Sequence, residues 1–74
     1  MRREDLLEHL NRMPFCPFRV YRSTGVFFDI RQPQLVSVDR STLGITFPIE
    51  GESQRYVFIA LIHIVWIEVL VPIP

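Results

Sequence analysis

Seventy-four residues make one domain, residues 1–74, with no room for a second core. A chain this short buries only about 60–65% of the surface its unfolded form exposes, and its single cysteine, Cys16, excludes an internal disulfide. Eight arginines balance eight acids with no lysine, and zero net charge argues against broad attraction to nucleic acid or an anionic membrane.

Small domains draw extra stability from disulfides, metals or neighbouring subunits. With the first excluded, self-association is the expected source. Cys16, set between Pro14 and Pro17, reads as a packed thiol in a reducing compartment. The opening residues carry Arg2 and Arg3 followed by acids rather than by an apolar run, so no signal peptide is expected there. A cytoplasmic location follows from both observations.

Residues 4–13 carry the one helical pattern. Leu6, Leu7, Leu10 and Met13 fall on a single stripe, Glu4 and Asp5 suit the positive end of the helix dipole, and Pro14 stops it. About ten residues are marginal as a lone helix, so the stripe must dock.

Phe18–Ile30 predicts a β-hairpin whose turn sets its register. Ser23-Thr24-Gly25 suits a three-residue loop with Gly25 in the left-handed region. Phe18 then faces Ile30, Val20 faces Phe28 and Arg22 faces Val26. On the other face Arg19 meets Asp29 and Tyr21 meets Phe27, so one register yields an apolar row, an ion pair and an aromatic pair. The two strands are expected over residues 18–23 and 26–31.

Pro33 interrupts the pattern, since it cannot donate to a ladder. A second hairpin follows over residues 35–39 and 43–47, turning near Arg40-Ser41-Thr42; Gly44 comes late for a turn glycine. Residues 48–54 form a polar loop, in which Glu50 and Glu52 read as solvated acids. Residues 55–60 and 64–70 complete the strands around a tight bend at Leu61-Ile62-His63. The run Val57–Val71 approaches membrane-span hydrophobicity, yet it falls short of the ~20 residues a spanning helix needs. It holds His63 and Glu68 and is dense in β-branched residues, so it reads as two strands and no membrane segment. Both strands are apolar on both faces and must be covered on both.

The fold expected is mostly β, a five-stranded, strongly bent antiparallel sheet or small barrel with a short N-terminal helix across one open end. The segment 64–70 closes the barrel. Its inner set is Leu6, Leu10, Phe18, Val20, Phe28, Ile30, Val36, Val38, Ile45, Phe47 and Ile67.

Catalysis needs a nucleophile, a base and an orienting group within reach. Only Cys16, His9 and His63 are on offer; His9 reads as solvated and His63 as a structural histidine at a strand bend. Gly25, Gly44 and Gly51 are too scattered for a phosphate loop, and one cysteine with two distant histidines lacks zinc-ligand spacing. No enzyme activity, cofactor or metal is expected.

The helix, the glycine turn after the first strand, and the spaced apolar pair Ile64 and Ile67 resemble the small barrels of the Sm-like and SH3-like type. The resemblance implies the fold and a tendency to form rings. Pro14-Phe15-Cys16-Pro17-Phe18-Arg19, with Phe28-Asp29-Ile30-Arg31 and His63-Ile64-Val65-Trp66-Ile67-Glu68, resembles small uncharacterised bacterial proteins that share a Pro-Phe-x-Pro-Phe-Arg opening. That likeness implies a bacterial or phage origin and no activity.

The function expected is therefore a non-catalytic, homo-oligomeric binding module, a ring or a dimer. Its interface is expected at Tyr56, Phe58, Ile64, Trp66 and Glu68, with Trp66 facing outward as an anchor and Glu68 paired to an arginine. The alternative is an Sm-like RNA-binding protein, stacking bases on Tyr21 and Phe27 and holding phosphates with Arg19, Arg22 and Arg40.

Overall fold

The computed structural model describes residues 1–48 and 54–70. The expected polar loop with Glu50 and Glu52, and the tail after Leu70, lie outside the described residues. A helix α1 (Arg3–Leu10) leads into β1 (Phe18–Arg22), β2 (Phe27–Ile30), β3 (Val36–Val38), β4 (Thr42–Pro48), β5 (Gln54–Ala60) and β6 (Ile64–Val69). Single 3-10 turns occupy Pro33–Leu35 and Leu61–His63.

The six strands form two antiparallel sheets of three, ordered β2-β1-β6 and β3-β4-β5. This corrects the expectation of five strands in a closed barrel. Proline at the first position of the Pro33–Leu35 turn lacks a ladder donor, and there the run between Phe27 and Val38 divides into β2 and β3. The Leu61–His63 turn then sends β6 away from β5 and onto β1, so the last two strands belong to different sheets and do not pair.

The first hairpin has the expected register. Phe18 pairs with Ile30, Arg19 with Asp29, Val20 with Phe28 and Tyr21 with Phe27. Arg22 N–H donates to Val26 O at 2.8 Å, and Gly25 has φ 91°. A Cβ at Gly25 would meet nothing within 4 Å, so the need for glycine there is conformational rather than steric. In the second hairpin Asp39 N–H bonds Thr42 O at 2.8 Å, placing Arg40 and Ser41 at the tip. Gly44 is a mid-strand residue of β4, between Ser37 and Phe58 on adjacent strands. A Cβ there would come within 2.8 Å of Ser37 Oγ and 3.2 Å of Phe58 Cε1, because the Phe58 ring lies over the glycine.

One core joins both sheets and the helix. Leu6, Phe18, Val20, Ile30, Leu43, Ile45, Ile59, Leu61 and Ile64 are buried, and the rest of the expected inner set packs against them half-buried. Leu43, Ile59, Leu61 and Ile64 fall outside the expected set. Leu43 continues the alternating row of Ile45 and Phe47, whereas Ile59, Leu61 and Ile64 lie where alternation is weak or interrupted, so periodicity alone does not assign them a face.

The helix stops at Leu10 rather than at residue 13, and Met13 is 90% exposed. A residue before proline is driven out of the α region, which removes Met13 from the stripe. Leu6 carries the docking, with the His9 ring 5.3 Å from that of Phe18. The Met1 nitrogen donates to Leu61 O and Ile64 O, fixing the start of the helix beside the second 3-10 turn.

Burial ranks the core substitutions. Phe18→Ala should cost about 3–5 kcal/mol, as for fully buried aromatics. Phe28→Ala removes a half-buried ring 6.0 Å from Phe47 and should cost distinctly less. Urea denaturation of both variants checks the order. In the same assay Gly25→Val should cost about 1–3 kcal/mol through its positive φ.

Candidate functional site

Strand β1 is bonded on both sides, so its outward residues head two cross-strand rows. In the first, Phe27, Tyr21 and Trp66 stand side by side on β2, β1 and β6. The Tyr21 and Trp66 rings stack at 4.0 Å with 5° between their planes, and the Phe27 ring lies tilted 5.7 Å from Tyr21. In the second row, Asp29, Arg19 and Glu68 stand in the same order.

Charge and ring rows are knitted together. Arg19 Nε donates to Asp29 Oδ1 at 2.6 Å and Nη1 lies 3.9 Å from Glu68 Oε1. The guanidinium carbon also sits 4.1 Å from the Phe27 ring centroid, in cation–π contact. Tyr21 Oη donates to Glu68 Oε1 at 3.4 Å, and Arg31 Nη2 reaches Asp29 Oδ2 at 3.4 Å. The hydrogen bond from Arg19 holds the Asp29 carboxyl below its ordinary range. The same bond with Asp29 holds the guanidinium above its own.

These contacts decide what the expected RNA-contacting residues offer. Arg19 is engaged by two carboxylates and a ring, and Tyr21 has neighbouring rings on either side. Arg22 is half-buried, its Nε shut from solvent with no hydrogen-bond partner among the described residues. Arg40 lies exposed at the β3–β4 turn, in the other sheet. The five residues do not form one surface; Arg19, Tyr21 and Phe27 do.

The expected interface residues divide differently. Ile64 is 2% exposed and belongs to the core, because the turn before β6 aims it inward. Tyr56, Phe58 and Trp66 are exposed at 60%, 73% and 49%. Glu68 is exposed and already paired within the chain, to Arg19 and Tyr21. Of the eight large exposed hydrophobics among the described residues, five (Tyr56, Phe58, Ile62, Val65 and Trp66) lie between Gln54 and Val69. Both strands of that segment are outer strands of their sheets. Sequence reasoning missed the Tyr21–Trp66 stack, since nothing in the first hairpin tells which strand will flank β1.

Among the described residues no three His, Cys, Asp or Glu side chains gather as metal ligands, and no helix is long and apolar enough to cross a membrane. No family model, curated protein or solved structure matches the chain.

The Arg19–Asp29 pair gives a pH signature. The folded Asp29 carboxyl titrates below its unfolded value, so the stability it contributes is fully present above that unfolded value of about 3.9. It is lost as pH falls through the lower folded value. Asp29→Asn should therefore lower stability at pH 7, and the difference from the parent should vanish once acid has protonated Asp29 in the folded chain. Thermal denaturation across pH checks both limits.

Proposed function

We propose that the chain is a non-catalytic, cytoplasmic interaction module that works as a homo-oligomer assembled through β5 and β6. Its layout is that of a small open barrel of the Sm-like or SH3-like type. The strand order supports that reading: β6-β1-β2, a break at Pro33, then β3-β4-β5, with a 3-10 turn between β5 and β6.

One observation carries the assembly. β5 and β6 are edge strands of seven and six residues, and the exposed apolar side chains concentrate on them. Unpaired edges of this kind are normally blunted by lysine, proline or inward charge. There is no lysine, and the charges on these strands, Arg55 and Glu68, leave the Tyr56–Ala60 and Ile64–Ile67 stretches uncharged. The Trp66 ring has Tyr21 on one face, and its other face looks toward the open edge, where a neighbour can cover it.

RNA contact is less well supported. An aromatic platform must present ring faces, and the Tyr21 faces are used within the chain. Arg19 is neutralised where it stands.

Sedimentation equilibrium at tens of micromolar should give a mass that is a multiple of 8.8 kDa, with a thermal midpoint that rises with concentration. A clean monomer would overturn the proposal. Labelled oligo-U should not bind at low salt; binding that weakens as salt rises would favour the RNA reading.

A further inference from the structure

We infer that β6 receives a partner subunit's β5 in one antiparallel register, Ile67 opposite Tyr56, with Glu68 opposite Arg55. This rests on the assembly proposed above and adds its geometry. In an antiparallel ladder the backbone groups of alternate residues point to opposite sides. Leu70 N–H donates to Pro17 O at 2.8 Å, continuing the pairing of Val69 with Phe18. Counting back by twos, Glu68 and Trp66 bond β1, so Ile67 and Val69 aim their N–H and C=O at the free edge. Leu61 N–H donates to Ser41 O at 2.9 Å, continuing the pairing of Ala60 with Thr42. Ile59 and Val57 therefore bond β4, and Phe58, Tyr56 and Gln54 aim outward.

Only outward-aimed residues can exchange hydrogen bonds, so Ile67 must meet Gln54, Tyr56, Phe58 or Ala60. With Ala60, Arg55 falls beyond Leu70 and only three residues of β5 overlap β6. With Phe58, Arg55 falls opposite Leu70; with Gln54, it falls opposite Trp66. With Tyr56, Arg55 stands opposite Glu68 and residues 54–57 lie opposite residues 66–69, the regular part of β6 beyond the irregularity at Val65 and the Met1 contact to Ile64 O. Charge complementarity selects this register. Arg55 has no ion pair among the described residues, and Glu68 is held at 3.4 Å by Tyr21 and 3.9 Å by Arg19.

The pairing also turns the partner over. Ile67 sits in the inward row with Val20, whereas Tyr56 sits in the outward row with Thr46. Tyr56 of the partner subunit thus arrives on the helix side of β6. A groove is open there between α1 and β6, with Ile67 as its apolar floor and Asp5, Glu8, His9 and Arg12 along its wall. The ring lies over Ile67 and the hydroxyl faces the Asp5 and Glu8 carboxylates. On the opposite side Trp66 covers the partner's Val57.

Charge reversal tests the register. Arg55→Glu and Glu68→Arg should each weaken assembly about tenfold, and the double swap in one chain should restore it, since every interface then regains an opposite pair. Arg55→Cys and Glu68→Cys chains, each with Cys16→Ser, should form a mixed disulfide, because directly opposed non-hydrogen-bonded residues lie within disulfide range. The shifted mixture, Val57→Cys with Glu68→Cys, should not. Native-like circular dichroism is required of every variant. An oligomer that ignores both reversals, or cross-links only in the shifted mixture, overturns the register and leaves the assembly standing. A monomeric parent overturns both.

Discussion

Everything in this molecule depends on β1 being bonded on both of its edges. A strand in that position has no backbone group left over, and its side chains can go only up or down. Phe18 and Val20 therefore enter the core fully, while Arg19 and Tyr21 are forced to the outer face between neighbours on β2 and β6. The two outer rows are the consequence: Arg19 meets a carboxylate on each side and Tyr21 meets a ring on each side. No other strand in its sheet could organise both rows, since β2 and β6 each have a single partner.

How much of this is legible in the sequence follows from where the side-chain pattern carries information. Between Phe18 and Ile30, alternation, turn chemistry and charge pairing agree, and the register is readable to the residue. The helix is readable except at its end, where the effect of Pro14 on Met13 outweighs an apolar stripe. The last two strands are readable as strands but not as members of different sheets. Their apolar residues occur on both faces, so the 2-residue period is lost, and the Leu61–His63 turn carries no glycine or proline to announce a change of direction. Ile64, expected at the interface for the same reason, is in the core. Gly44 looks like a misplaced turn residue; its role is to leave space under the Phe58 ring, a cross-strand relation invisible until β4 and β5 are paired.

The outer face of the first sheet satisfies itself, and this shapes any external binding. Ion pairs and stacked rings that close on one another are poor at gripping a freely diffusing ligand, because the ligand must break an internal pair to form one of its own. The edges are different. At β5 and β6, apart from the Ile64 carbonyl held by Met1, the outer edges have no strand partner among the described residues, and exposed apolar side chains lie along them. A strand satisfies both needs at once, whereas a small molecule or a solvated loop satisfies one at most.

Each chain carries one β5 edge and one β6 edge, so joining them is a heterologous contact and leaves a further edge at either end. Rotation that closes the chain of contacts gives a ring; without closure the same bonds give a filament. The inversion of faces at the junction bears on that choice. In the proposed junction the inward row of β6 would continue into the outward row of the partner's β5, so the curvature of one sheet would not simply be extended into the next. The helix is then more than a cover for the core: docked through Leu6 and His9, it sets one wall of the groove beside β6. In a domain this small, loosening the helix costs core burial and interface geometry together. If the proposed assembly forms, folding and assembly are linked, and the stability of one chain becomes a function of the concentration of all.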